Sequence, residues 1–194
     1  MEAKVVELLS WASMLSKNKG ESLKEDYSIN IGTIYNAEHT NSVCKLISFL
    51  IAEMMDKEKK TDLIMTSSVD KFYGSIYDKV LWESLDLLHE NERSSMHNIK
   101  SAIDKSFAAC GIRHKRLAIH RFKNLGVSYR RLTDNLISGY PVLLKYSGKV
   151  YLIKGYKVFS NNSMYLEVIG NYEARYKTSY IDFKDIGFFS YMLG

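Results

Sequence analysis

Cysteine and proline are scarce in this chain of 194 residues, which contains 2 cysteines and 1 proline. Cys44 and Cys110 lie outside any Cys-x-x-Cys pair, so they form no disulfide framework and leave a structural zinc site without its usual ligands. No Gly-rich phosphate loop, dinucleotide fingerprint or His-Glu-x-x-His motif is present either, so no cofactor or metal is expected. An aromatic content of 12% excludes a mainly disordered chain.

Long apolar runs are also missing. One of the longest, residues 46–55, is interrupted by Ser48 and Glu53 and is too short to cross a membrane. Glu2 and Glu7 break the apolar stretch that a signal peptide needs. We therefore expect a cytoplasmic protein with reduced thiols and no membrane partner.

Apolar residues recur with helical spacing through most of the first 111 residues. Residues 40–42 supply N-cap candidates for the second helix, and Ser94 or Ser95 caps the fourth. A polar loop over residues 17–26 and a short strand or extended segment over 27–32 follow the first helix. The predicted helices cover residues 2–17, 43–55, 67–91 and 95–110.

The pattern changes in the second part of the chain, where short apolar stretches alternate with turn signals such as Asn161-Asn162. A short helix over residues 128–138 is closed by Gly139. The predicted strands cover residues 115–122, 141–146, 150–159, 164–169 and 175–180. Helices first and strands last predict an α+β protein. We expect one domain over residues 1–194, with a mainly helical lobe (1–111) packed on a mainly antiparallel sheet (112–194).

The strand region has a layout found in a known family. Residues 139–144, which read G-Y-P-V-L-L, resemble the G-x-P-V strand of papain-like cysteine peptidases, nearest the type that processes bacteriocin leaders. Residues 149–156 resemble that family's strand ending in Gly-Tyr, and residues 178–183 resemble the strand and helix start that finish its domain. The match is continuous over residues 139–194 and thin over 36–55. The resemblance implies a papain-like fold.

The resemblance also implies a catalytic set. Cys44, at the start of a predicted helix, falls where the family keeps its nucleophile, and a helix N-terminus lowers the pKa of such a thiol. The family needs a histidine to exchange the proton and an amide or carboxylate to orient that histidine. Asn171 falls at the orienting position. The histidine position, six residues before Gly155, is occupied by Lys149.

Two further residues near Cys44 depart from the family pattern, and the first of them is at a position that contributes to the oxyanion hole. The amide expected six residues before Cys44 is Glu38, which cannot donate a hydrogen bond when ionised. The residue after the cysteine is Lys45 instead of glycine. His39 or His120 could replace the missing histidine. Free cysteines are more often structural than catalytic, which favours a buried structural thiol at Cys44.

Charge is distributed unevenly along the chain. Residues 1–104 carry 12 basic and 17 acidic side chains, whereas residues 105–166 carry 12 basic side chains and only Asp134 as an acid. This basic block predicts an anionic partner, such as nucleic acid or an acidic protein, or else it faces solvent or the chain's own acidic groups. The candidate binding residues are Arg113, Lys115, Arg116, Arg121, Arg130 and Arg131.

Three functional hypotheses follow from these patterns. The first is a peptidase-related protein whose catalytic set is degenerate and which acts by binding a peptide or protein. The second is an active thiol peptidase or acyltransferase that uses Cys44 with a histidine such as His39 or His120. The third is a basic module that binds nucleic acid or an acidic protein.

Overall fold

The chain is described by a computed structural model. The described residues are 7–29, 47, 51, 76, 95–109, 118–121, 125–140, 142–146, 149–170, 178–185 and 190–193. They form helices and an antiparallel sheet, so the expected α+β class is confirmed. None of the helices within these ranges is long and apolar enough to cross a membrane.

Three α-helices and seven strands have bounds within the described residues. The helices are α1 (Trp11–Lys17), α2 (Met96–Ala109) and α3 (Leu125–Ile137), and a 3-10 turn covers Phe183–Asp185. The strands are β1 (Leu23–Ser28), β2 (Ala118–Arg121), β3 (Val142–Tyr146), β4 (Lys149–Phe159), β5 (Met164–Gly170), β6 (Thr178–Asp182) and β7 (Ser190–Leu193).

The chain divides into two compact units. Residues 31–119 form the middle unit, and residues 1–30 together with 120–194 form the sheet unit. The sequence predicts a single domain of two lobes over residues 1–194, which stays a prediction.

In the middle unit, α2 begins where the sequence places its cap. The Ser95 hydroxyl accepts the backbone N–H of Asn98 at 3.1 Å, as an N-cap side chain does. The apolar face of α2 is buried through Ile99, Ile103 and Phe107, which confirms the predicted helical spacing. Three further isoleucines are helical and fully buried: Ile47, Ile51 and Ile76.

In the sheet unit, the strands follow the order β2-β7-β3-β4-β5-β6, and β1 pairs with β4 outside this path. β4 is the longest strand, with 11 residues. β5 pairs with one of its edges over Tyr151–Val158. The other edge is shared, since β3 pairs with its first half and β1 with its second half. Because β4 has only two edges, β1 and β3 lie end to end along the same one.

Apolar side chains cover both faces of β4. One face carries the main core, in which α3 packs on the sheet through Leu132 and Leu136. The strand residues of this core are Val142, Leu144, Tyr151, Ile153, Tyr156, Val158, Leu166, Val168 and Ile181. The opposite face holds a second cluster, in which Phe159, Tyr165 and Tyr180 pack against Leu9 and Met14.

The first predicted helix is wrong at its beginning. Residues 7–10 are not helical, and α1 begins at Trp11 with Ser10 as its N-cap. Leu9 instead exchanges two backbone hydrogen bonds with Tyr180, at 2.8 and 2.9 Å. The Ser10 hydroxyl accepts the backbone N–H of Ser13 at 3.1 Å, as an N-cap side chain does. This cap sets the beginning of the helix at Trp11, later than the apolar spacing predicts.

The predicted loop over residues 17–26 is also wrong in its second half, because residues 23–26 belong to β1. This segment is polar and exposed, so its strand conformation comes from pairing with β4 and not from its own pattern. The strands predicted over residues 141–146, 150–159, 164–169 and 175–180 correspond to β3, β4, β5 and β6, with bounds that differ by no more than three residues. β7 lies beyond the predicted strands. Gly139 ends α3 with φ +82°.

Candidate functional site

Most residues of the predicted catalytic set and basic surface lie outside the described part of the chain. Cys44, His39 and Asn171 are among them, and so are Arg113, Lys115 and Arg116. The roles assigned to these residues stay predictions.

Lys149 lies at the first residue of β4 and pairs with Tyr146 across the β3–β4 hairpin. β5 ends at Gly170, which pairs with Tyr151. The beginning of β4 and the end of β5 therefore lie at the same end of two neighbouring strands. The resemblance places Lys149 at the first of these points and Asn171 immediately after the second.

Three of the predicted basic binding residues lie in described elements. Arg121 is the last residue of β2. Arg130 and Arg131 are consecutive in α3, and both are exposed. Both arginine side chains therefore lie at the surface of α3, and their role in binding stays a prediction.

A cluster of four charged side chains occupies one face of the sheet. The Lys154 Nζ lies 2.8 Å from Oε1 of Glu167, and the Lys157 Nζ lies 3.4 Å from Oε2 of the same carboxylate. The Lys157 ammonium also donates a hydrogen bond to the Asp26 carboxylate. Two ammonium groups and two carboxylates thus alternate from β4 to β5 and β1, and their formal charges cancel.

An irregularity of β4 makes this cluster possible. Residues three apart in a regular strand point to opposite faces, so Lys154 and Lys157 would be expected to diverge. The register of β4 against β5 shifts between Ile153 and Gly155. The extra residue brings both lysines to one face, where they reach the two oxygens of Glu167.

The cluster is largely shielded from water. The side chains of Glu167 and Lys157 are each 7% exposed, whereas that of Asp26 is 48% exposed. Oε2 of Glu167 accepts no hydrogen bond from the described residues, although Lys157 lies at ion-pair distance. Charges that are taken out of water need such partners, because removal of one partner leaves the others uncompensated. The arrangement is suited to fastening strands together, and its balanced charge offers no net attraction to an ionic ligand.

Two aromatic rings flank the cluster. The Trp11 and Tyr180 rings have centroids 5.6 Å apart and are inclined at 52°. The Lys157 ammonium lies 5.8 Å from the Trp11 ring centroid, within the range of a cation–π contact. Burial, together with the negative charges of Glu167 and Asp26, raises the pKa of Tyr180 to about 12. The phenol therefore stays neutral at physiological pH.

On the other face of the sheet, three tyrosines form an aromatic slot under α3. Tyr27 of β1 stacks on Tyr156 of β4 with centroids 5.9 Å apart and rings inclined at 22°. Tyr129 of α3 meets Tyr156 edge-on at 6.0 Å. The Tyr27 hydroxyl donates to the Ile137 carbonyl at 3.4 Å. Burial, and to a smaller extent Glu25, raises the pKa of Tyr156.

Sequence reasoning missed both the charge cluster and the aromatic slot. A usable signal was present, because Lys154, Lys157 and Glu167 each interrupt an otherwise apolar strand. Charged residues of opposite sign in buried strands indicate a compensating pair. The partner Asp26 carries no such signal, since it lies in a polar segment far away in sequence.

Within the described ranges, no group of three or more His, Cys, Asp or Glu side chains could hold a metal ion. No family model matches the chain, and no curated protein matches it either.

Proposed function

We propose that this protein is a relative of papain-like cysteine peptidases with a degenerate catalytic set, and that it acts by binding a peptide or protein. The observation that supports the proposal is the position of Lys149. It begins β4, the strand on which the resembled family carries its histidine, and it lies at the same end of the sheet as the last residue of β5.

A lysine at this position favours binding over catalysis. A lysine side chain offers three hydrogen-bond donors and no acceptor, so it is a poor substitute for the imidazole that takes the thiol proton. It can still pair with a carboxylate of a bound chain. The antiparallel strands β3 to β6 supply the scaffold of the expected C-terminal sheet, and they support the α+β part of the resemblance.

The experiment combines thiol reactivity with a cleavage assay. Purified protein is treated with limiting iodoacetamide, and the labelling rates of Cys44 and Cys110 are compared by mass spectrometry. The same protein is incubated with fluorescent casein. We expect no cleavage and no preference for Cys44, because a thiol without an activating base remains protonated. Cleavage that disappears in Cys44→Ser would overturn the proposal in favour of an active peptidase using His39 or His120.

Binding is tested by panning a random peptide library on the immobilised protein. We expect enriched peptides whose affinity is unchanged in Cys44→Ser and reduced in Lys149→Glu. A library that yields no enriched peptide, together with the absence of cleavage, would also overturn the proposal.

A second candidate function is anion binding by α3. The observation that favours it is the exposed pair Arg130 and Arg131. Binding to nucleic acid through these residues would weaken with added salt and fall in the Arg130→Glu/Arg131→Glu variant, as measured by fluorescence anisotropy of a labelled duplex. Salt-independent or absent binding would remove this candidate.

A further inference from the structure

β1 differs from the other strands of the sheet unit in how little it buries. Of its six residues, only Tyr27 is partly buried, and the other five are exposed. It nevertheless lies against β4, the central strand. Its place in the sheet therefore depends on backbone pairing and on a few side-chain contacts rather than on hydrophobic burial.

The β4 edge that β1 covers is shaped to receive a backbone. At Gly155, an added Cβ would lie 2.3 Å from the Tyr27 carbonyl oxygen and 2.9 Å from Cα of Ser28. Only a glycine lets the two strands approach this closely. Two further backbone hydrogen bonds lie at the two ends of the β1–β4 pairing. Ser160 N–H donates to the Ser22 carbonyl at 2.9 Å, and Ile29 N–H donates to the Lys154 carbonyl at 2.7 Å.

Two side chains of β1 are recognised specifically. Lys157, itself only 6% exposed, receives the carboxylate of Asp26 on one face of the sheet. In the aromatic slot on the other face, the ring of Tyr27 stacks on the ring of Tyr156. Neighbouring residues of a strand point to opposite faces of the sheet. An acidic residue followed directly by an aromatic one can therefore pair with Lys157 on one face and stack on Tyr156 on the other.

We propose that the β4 edge over residues 155–159 is a strand-addition site for an extended peptide containing an acidic residue followed by an aromatic one, and that β1 is its internal occupant. The inference rests on the proposed function, since it names the class of peptide that is bound. It places the peptide backbone along β4, the strand that Lys149 begins, and it does not require Cys44. Strand addition takes most of its affinity from main-chain hydrogen bonds, which any extended peptide can supply.

Exchange of β1 breaks the ion pair between Asp26 and Lys157, and an incoming acidic residue restores it. When Asp26 leaves, Lys157 keeps the Glu167 carboxylate at 3.4 Å, so its charge is not left without a partner. Asp26 is half-exposed and regains its hydration readily. The departure of β1 also removes the stacking of Tyr27 on Tyr156, which an incoming aromatic residue restores.

The test uses a fluorescent peptide with the sequence of residues 22–29, Ser-Leu-Lys-Glu-Asp-Tyr-Ser-Ile, added to the full chain. We expect the Tyr27→Ala protein to bind it at least about tenfold more tightly than the wild type, because the internal competitor is weakened. The matched control is the same peptide carrying Asp26→Lys, which should lose this binding. Equal affinity of both proteins for both peptides would overturn the inference.

Hydrogen exchange of the wild-type protein gives a second measurement that does not depend on a variant. The amides of β1 should exchange through a local opening, while those of β3 and β5 remain protected. Exchange of β1 only at the rate of global unfolding would contradict the inference. A concentration-dependent dimer that takes up no peptide would contradict it in favour of strand exchange between two copies of the chain.

The peptide test can fail independently of the proposed function. If library peptides bind the protein and the peptide of residues 22–29 does not, only the strand-addition site is wrong. If neither binds, both proposals are wrong.

Discussion

Gly155 lies opposite Glu167 in the pairing of β4 with β5, and the absence of a Cβ on the glycine leaves space for the Glu167 carboxylate. An added Cβ would lie 2.9 Å from Oε2 of Glu167. One residue thus serves two neighbours, because the same glycine also admits the backbone of β1. The ion pairs and the strand pairing are coupled at this point.

Replacement of this glycine tests the coupling. Gly155→Ala should lower the free energy of unfolding by about 2 kcal/mol, because the methyl group meets backbone atoms that cannot move aside. Urea unfolding followed by circular dichroism measures the change. The matched control is Gly126→Ala in α3, where nothing lies within 4 Å of the added Cβ. It should raise stability by up to about 1 kcal/mol, as alanine favours a helix. Equal effects at the two sites would contradict the close approach.

The buried carboxylate provides a second prediction. Glu167→Gln should destabilise the protein by about 3 kcal/mol, because two ammonium groups lose the charge that compensates them. The control is Glu7→Gln, which removes an exposed pair with Lys17 and should cost less than about 1 kcal/mol. Chemical denaturation at neutral pH separates the two results. If Glu167→Gln lowers the free energy of unfolding by less than about 1 kcal/mol, the cluster contributes little to stability.

The phenol of Tyr180 predicts the behaviour at alkaline pH. Its pKa is raised to about 12 in the folded protein, whereas the ordinary value is 10.0. Between these values the unfolded chain loses a proton that the folded chain keeps, so stability is full below pH 10 and falls as pH rises towards 12. Tyr180→Phe should reduce this decline. The free energy of unfolding and the phenolate absorbance of the wild type and of Tyr180→Phe are measured from about pH 9 to about pH 12. Identical pH profiles for the two proteins would contradict the prediction.

The β4–β5 hairpin turn gives a fourth prediction. Asn162 has φ +61°, a conformation that asparagine and glycine tolerate and β-branched residues do not. Asn162→Gly should leave stability nearly unchanged, whereas Asn162→Val should cost about 1–2 kcal/mol. Thermal unfolding of both variants provides the measurement. A valine variant as stable as the glycine variant would be inconsistent with this turn geometry.

The strands β3 to β6 were predictable because their signals are local. Turn residues such as Asn161 and Asn162, and the single proline before β3, mark the strand boundaries directly in the sequence. α2 was predictable for the same reason, since its cap Ser95 and its apolar spacing lie within one segment.

β1 and the charge cluster were not predictable in the same way. Residues 23–26 are polar, so no periodicity distinguishes them from a loop. Their conformation depends on a partner strand 131 residues away, as the contact of Asp26 with Lys157 shows. The sequence assigns the lysines to a basic block, although Lys154 and Lys157 are neutralised by Glu167 and Asp26. Part of the apparent excess of positive charge is thus internal to the fold.

The end-to-end arrangement of β1 and β3 along β4 also sets the order of assembly during synthesis. β1 leaves the ribosome early, but its partner residues 155–159 are made more than a hundred residues later. Closing so long a loop is slow compared with forming the β3–β4 and β4–β5 hairpins, whose strands are neighbours in sequence. The long loop therefore favours formation of these two hairpins before β1 joins β4.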